Sequence, residues 1–140
     1  MKPPYKFISL EIKNMYTKIP IRETLKILED NLKENKKMNN REIDELINLT
    51  KTLLKQNYFT FDKKFFFQES GLAMGSPISG LLADIYFNHF ENSYIFNNNP
   101  FQKNIIFYKR YVDDIFIIFN GSTRQAELLK NHINTINEDI

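Results

Sequence analysis

A chain of 140 residues, 42% hydrophobic and 14% aromatic, is long enough for one compact domain with a single core and excludes a disordered tail. A net charge of +2 is compatible with a polyanionic partner without arguing for one, and the absence of cysteine excludes disulfides and Cys-ligated zinc, so an intracellular setting is expected. The longest apolar runs, such as Ile115 to Phe119, fall far short of the roughly 20 residues of a membrane helix, and Met1-Lys2-Pro3-Pro4 has no signal-peptide character.

The run Phe7-Ile8-Ser9-Leu10-Glu11-Ile12 reads as a buried strand interrupted by one acid, and an acid in that position needs a reason. Ile19-Pro20-Ile21 ends this segment. Ile21, Leu25, Leu28 and Leu32 then recur at helical spacing, predicting a helix near 22 to 34. After a polar loop, Ile43, Leu46, Ile47, Leu49, Leu53 and Leu54 predict a second helix, near 42 to 56.

Tyr58-Phe59-Thr60-Phe61 and Phe65-Phe66-Phe67-Gln68, separated by Asp62-Lys63-Lys64, read as a short β-hairpin. The Gly/Ser loop from Gly71 to Gly80 should open into a helix from about Leu81 to Tyr94, broken by Asn97-Asn98-Asn99-Pro100. Two β-rich runs, Ile105 to Val112 and Ile115 to Phe119, flank Asp113-Asp114 and place both acids in the turn of a hairpin. Gly121 closes that strand, and Ser122 or Thr123 should cap a last helix through Leu128, Leu129, His132, Ile133 and Ile136. The fold class is α+β: a small antiparallel sheet of the Glu11 strand and the Asp113-Asp114 hairpin, packed on helices on one face and open on the other.

Adjacent acids between apolar strands repel one another, and a divalent cation removes that cost. Two-metal phosphoryl transfer uses carboxylate-held ions about 3.5 to 4 Å apart, and Mg²⁺ prefers such hard oxygen ligands. That chemistry wants a third acid, and Glu11 is the candidate, so the three carboxylates are expected to converge. Taken alone, Asp113-Asp114 reads equally as a solvated turn, and Glu11 reads more readily as a surface acid on an edge strand; it is their combination that points to metal binding.

Tyr111-Val112-Asp113-Asp114 between aromatic-rich strands resembles the catalytic hairpin of reverse transcriptases. Upstream, Gly71-Leu72-Ala73-Met74-Gly75-Ser76-Pro77-Ile78-Ser79 with Leu82-Ala83-Asp84-Ile85-Tyr86 and Phe90-Glu91 resembles the family's loop and helix against template and nucleotide. Ser9-Leu10-Glu11-Ile12 with Tyr16-Thr17-Lys18-Ile19-Pro20 resembles its first metal-binding motif, and the Ala-Met-Gly-Ser and Thr-x-Ile-Pro forms look most like Penelope-like retroelements.

The resemblance implies RNA-templated DNA synthesis from a DNA primer and dNTPs, with two Mg²⁺ ions, or Mn²⁺ in their place. By position it implies metal ligation and catalysis by Asp113, Asp114 and Glu11, nucleotide contacts from Tyr16, Gly75 and Ser76, and a primer-end contact from Tyr111. Tyr16 and Tyr111 also read as core aromatics, and Gly75-Ser76 as an ordinary helix-start loop. Lys109 and Arg110 could meet backbone phosphate or merely guard a strand edge.

Glu11 departs from the family's Asp by one methylene, placing its carboxylate about an ångström further out, and such displacements can lower rates on the order of 10²-fold. Residues 1–140 are accordingly expected to be a palm portion of a reverse transcriptase domain, largely without fingers and thumb and without independent activity. A non-catalytic nucleic-acid-binding remnant is the alternative. A nucleotide cyclase is the remote one, opposed by the Gly75-Ser76-Pro77 loop.

Overall fold

The computed structural model describes residues 5–136. In chain order they form β1 (Tyr5–Glu11), α1 (Met15–Lys18), α2 (Ile21–Asn35), α3 (Asn40–Leu54), β2 (Tyr58–Phe61) and β3 (Lys64–Phe67). There follow α4 (Ser79–Phe90), a π-helical turn (Glu91–Ile95), a 3₁₀ turn (Gln102–Asn104), β4 (Ile105–Tyr111), β5 (Asp114–Asn120) and α5 (Thr123–Ile136). The chain divides into two compact units, Met1–Met15 with Asn88–Ile140, and Tyr16–Phe87.

The first unit is built on an antiparallel sheet in the order β1-β5-β4. Strand alternation sorts the central strand: Ile115, Ile117 and Phe119 are buried, whereas Asp114 and Phe116 point to the opposite, open face. Helix α5 lies against β1 and the π-helical turn, and its Leu129 is fully buried. A capping box starts α5 at Ser122: its hydroxyl accepts the Gln125 N–H at 3.2 Å, and Gln125 Oε1 accepts the Ser122 N–H at 2.9 Å.

Strand β1 is not the buried strand that its composition predicts. Lys6, Ile8 and Leu10 are half-buried while Tyr5, Phe7, Ser9 and Glu11 are exposed, because β1 is an edge strand with one uncovered face. On that face Phe7 stacks on Phe116 with centroids 6.0 Å apart, and Phe107 meets Phe116 edge-on at 6.3 Å. Helix α4 begins at Ser79, earlier than its periodicity suggests, and the last turn of the expected helix is wound as the π-helical turn.

In the second unit α2 packs on α3. Thr24, Leu25 and Ile27 of α2 are buried, as are Ile43 and Ile47 of α3. Leu49 and Leu53, expected on the buried stripe, are exposed, so the inward face of α3 is narrower than the apolar pattern. Asn39 and Glu42 close a capping box at the start of α3: the Asn39 side chain accepts the Glu42 N–H at 3.0 Å, and Glu42 Oε2 accepts the Asn39 N–H at 2.8 Å.

The aromatic hairpin β2–β3 forms, but its turn is two residues, Asp62-Lys63, rather than the three-residue spacer, because Lys64 pairs with Phe61 and starts β3. Both turn residues take positive φ, 47° and 60°, which matches the right-handed twist of the strands. All eight strand residues are exposed on both faces, Phe65 to 80%. The hairpin base is tied by the Gln68 N–H donating to the Asn57 carbonyl at 2.9 Å. Gln68 Nε2 then donates to the Ser70 and Leu72 carbonyls, at 2.7 and 3.2 Å, joining the base to the Gly71 loop.

Candidate functional site

In the first unit, register brings two of the predicted acids together. Glu11 pairs with Asp114 across β1 and β5, and Asp114 pairs with Tyr111 across β5 and β4. Paired residues of neighbouring strands share a face, so Tyr111, Asp114 and Glu11 form a row across one end of the open face. All three are exposed, Tyr111 to 79%.

The turn is not made by the two aspartates. Val112 and Asp113 form it, and Asp114 is the first residue of β5. A polar pair looks like the natural turn, but pairing Tyr111 with Asp114 leaves Val112 and Asp113 as the two residues between the strands. Val112 consequently takes φ +55°, a conformation that is a genuine outlier for a β-branched residue. Asp113 is half-buried, and its carbonyl accepts the Ile12 N–H at 2.8 Å, which ties the turn to the chain just beyond Glu11.

Two like charges directly opposite one another on neighbouring strands are destabilising. Among the described residues no cation forms an ion pair with Glu11, Asp113 or Asp114. The donor set is carboxylate oxygen, which suits Mg²⁺ or Mn²⁺. The expected convergence of three acids is nevertheless not found: among the described residues no group of three His, Cys, Asp or Glu side chains is close enough to hold a metal ion. The third member, Asp113, sits in the turn while Glu11 and Asp114 project from strands.

Behind the row, on the opposite face, lies a polar cluster. Arg110 Nε donates to Glu91 Oε1 at 2.6 Å, the Tyr108 hydroxyl donates to the same oxygen at 2.9 Å, and Arg110 Nη1 donates to the Val112 carbonyl at 3.1 Å. The Arg110 and Glu91 side chains are only 8% and 10% exposed. Burial, and after it the charge of Glu91, hold the Tyr108 hydroxyl well above the usual phenol range, so it stays protonated and donates. Arg110 is therefore engaged inside the unit rather than held out toward phosphate, whereas Lys109 lies exposed beside Tyr111.

The remaining predicted residues belong to the second unit, where the Tyr16 turn and the Gly/Ser loop meet. The Leu72 N–H donates to the Tyr16 carbonyl at 2.6 Å. Gly71, at φ +73°, lies so close to Thr17 that an added Cβ would fall 2.2 Å from the Thr17 carbonyl oxygen. The close-approach glycine of this loop is thus Gly71. Gly75, at φ +89°, borders open space, and Ser76 is half-buried beside it. Ser79 closes the loop by donating its hydroxyl to the Ala73 carbonyl at 2.6 Å.

Gly71 and Glu91 are the residues to which the sequence alone assigns no role. Each lies within a quoted motif, and the signal available was a glycine directly before a buried leucine and an acid within an apolar helix face.

The sequence matches the family described as reverse transcriptase (RNA-dependent DNA polymerase) over residues 2–140. Among solved structures, apo telomerase from Candida tropicalis, truncated from its C-terminal domain, is similar in fold, with a TM-score of 0.68 at 15% identity. That likeness covers 93% of this chain and 26% of the telomerase chain, so the chain spans about a quarter of the solved relative. Comparison with curated protein sequences gives no significant match. With the family matched along nearly its whole length and a palm-like α+β architecture in place, the chain belongs to the reverse transcriptase family.

Proposed function

We propose that residues 1–140 are the palm portion of a retroelement reverse transcriptase, most like the Penelope-like group, which in its parent protein carries out RNA-templated DNA synthesis. The observation that supports this best is the unpaired, cross-strand Glu11–Asp114 juxtaposition with Asp113 in the adjoining turn. Glu11, Asp113 and Asp114 would hold two divalent ions, Mg²⁺ or Mn²⁺. Bound there, such ions supply activation of the primer hydroxyl and stabilisation of the leaving oxygen in nucleotidyl transfer. Tyr111, alongside Asp114, meets the primer end. Tyr16, with Gly75 and Ser76 in the loop joined to it, receives the dNTP. Their mutual support in the second unit, through the Tyr16–Leu72 hydrogen bond, favours one shared nucleotide subsite.

The isolated chain is proposed to lack polymerase activity. Glu11 reaches further than the aspartate of the family pattern, and the three acids do not form a closed set. Those two observations also favour a second reading, a nucleic-acid-binding remnant that kept the surface without the chemistry.

Fluorescence anisotropy of a labelled RNA–DNA hybrid with a recessed primer separates the two. The catalytic reading predicts that Mg²⁺ strengthens binding several-fold and that the D113N/D114N double variant loses this gain; a remnant binds equally with and without the two acids. Robust primer extension by the purified chain with dNTPs and Mg²⁺ would overturn the proposed inactivity.

A further inference from the structure

Val112 is held in a backbone conformation that disfavours a β-branched side chain, and such residues persist only where their surroundings over-determine them. Two hydrogen bonds do so here, one to each turn carbonyl. The Ile12 N–H holds that of Asp113, and Arg110 Nη1 holds that of Val112. The second depends on a guanidinium at the end of a long side chain, which has to be aimed at the turn.

Glu91 contributes to that aim. Its carboxylate oxygen takes the Arg110 Nε at 2.6 Å and the Tyr108 hydroxyl at 2.9 Å, and its own side chain is nearly buried. Glu91 is also the first residue of the π-helical turn that ends α4, a winding that recurs at functional positions. A buried ion pair is weak evidence of stabilisation in itself, because removing two charges from water is expensive. Its geometry shows what it does instead: one guanidinium edge is spent on Glu91, and another N–H is aimed at the strained turn.

We propose that Glu91 and Arg110 are positioning residues that clamp the Val112–Asp113 turn and thereby fix the direction of the Asp113 carboxylate. This rests on the reading of Asp113 as a metal ligand for its purpose, but not for its detection. Neither residue touches a substrate or the reacting atoms. Glu91 sets the guanidinium, the guanidinium sets the Val112 carbonyl, and the turn sets Asp113. Tyr108 satisfies a second lone pair of Glu91 and does not reach the turn, so it belongs to the support and not to the clamp.

The test uses the whole 140-residue chain without metal. Lysine in R110K keeps a charge for Glu91 but cannot donate to Glu91 and to Val112 from a rigid fork. The expected result is at least a tenfold faster hydrogen exchange at the Ile12 amide, with the Val112 backbone ¹³C shifts moving away from positive φ. Ile117 in the sheet centre should exchange as in wild type. Y108F should leave the Ile12 amide unchanged. A folded R110K chain with wild-type exchange at Ile12 and wild-type Val112 shifts overturns the clamp. Should R110K fail to fold, the E91L chain, which has no side-chain oxygen to accept from Arg110, gives the same comparison, with the same two outcomes.

Paramagnetic broadening at Asp113 by Mn²⁺ is then measured on the wild type and on the folded variant. Absence of broadening in the wild type refutes the metal reading and leaves the exchange result standing. Broadening in the wild type that weakens at least several-fold in the variant is the expected outcome; undiminished broadening overturns the purpose assigned to the clamp.

Discussion

Replacing Gly71 by alanine should be the most damaging single-methyl addition in the second unit. The new Cβ would fall 2.2 Å from the Thr17 carbonyl oxygen and 2.5 Å from its Cα, both backbone atoms that cannot rotate away. Relieving the overlap requires the loop to retreat by about an ångström, given that non-bonded heavy atoms rest at roughly 3.5 Å. That retreat breaks the 2.6 Å hydrogen bond from the Leu72 N–H to the Tyr16 carbonyl and loosens Leu72, which is fully buried. Left-handed backbone costs an L-residue about 1–2 kcal/mol, and a buried hydrogen bond left unmade about 1–3 kcal/mol. The sum is a destabilisation of about 2–5 kcal/mol, or a fall in Tm on the order of 10 °C for a chain of this size. Urea denaturation followed by circular dichroism measures it, with G80A as the control because its added methyl meets nothing within 4 Å. A G71A chain within about 1 kcal/mol of wild type would refute the close-approach reasoning.

V112G should stabilise the chain by about 0.5–1 kcal/mol, since relief of the positive φ exceeds the added freedom of glycine in the unfolded chain; thermal unfolding reads the sign, and a destabilised variant shows that the turn is not strained. N39A removes the side-chain half of the capping box and should cost about 1 kcal/mol, seen as a lowered urea midpoint with an unchanged slope. E11Q in metal-free, low-salt buffer should raise stability by about 0.5–1 kcal/mol through loss of the cross-strand repulsion with Asp114, and the gain should shrink as salt is added; a gain that does not respond to salt has another origin.

The elements were legible wherever one physical signal acted alone. Apolar spacing located α2 and α3, and runs of β-branched and aromatic residues located β4 and β5 to within a residue or two. The exceptions arise where tertiary register outweighs local preference. Asp113-Asp114 looks like a turn because aspartate favours turns, yet pairing of Tyr111 with Asp114 puts Val112 there and sends Asp114 onto the open face. Phe7 looks buried because it is phenylalanine, yet an uncovered sheet face leaves it 74% exposed. Leu49 and Leu53 fail in the same way on α3.

The candidate site was legible in its residue types and less so in its geometry. Glu11 opposite Asp114 follows from two strands whose register no local pattern specifies, and Gly71 against Thr17 follows from a contact 54 positions apart in the sequence. Glu91 is the clearest case. It shares a helix face with the buried Phe87 and Ile95, four residues to either side, and only the fold brings Arg110 and Tyr108 to it.

The most direct measurement of the central claim is titration of the whole chain with Mn²⁺, followed by electron paramagnetic resonance of the free ion, on the wild type and on E11Q, D113N and D114N. Saturable binding that weakens by at least tenfold in D113N and in D114N, and to a lesser degree in E11Q, is the predicted result. Binding that is absent in the wild type, or equal in all four chains, contradicts the assignment of these carboxylates as the metal-binding edge of a reverse transcriptase palm.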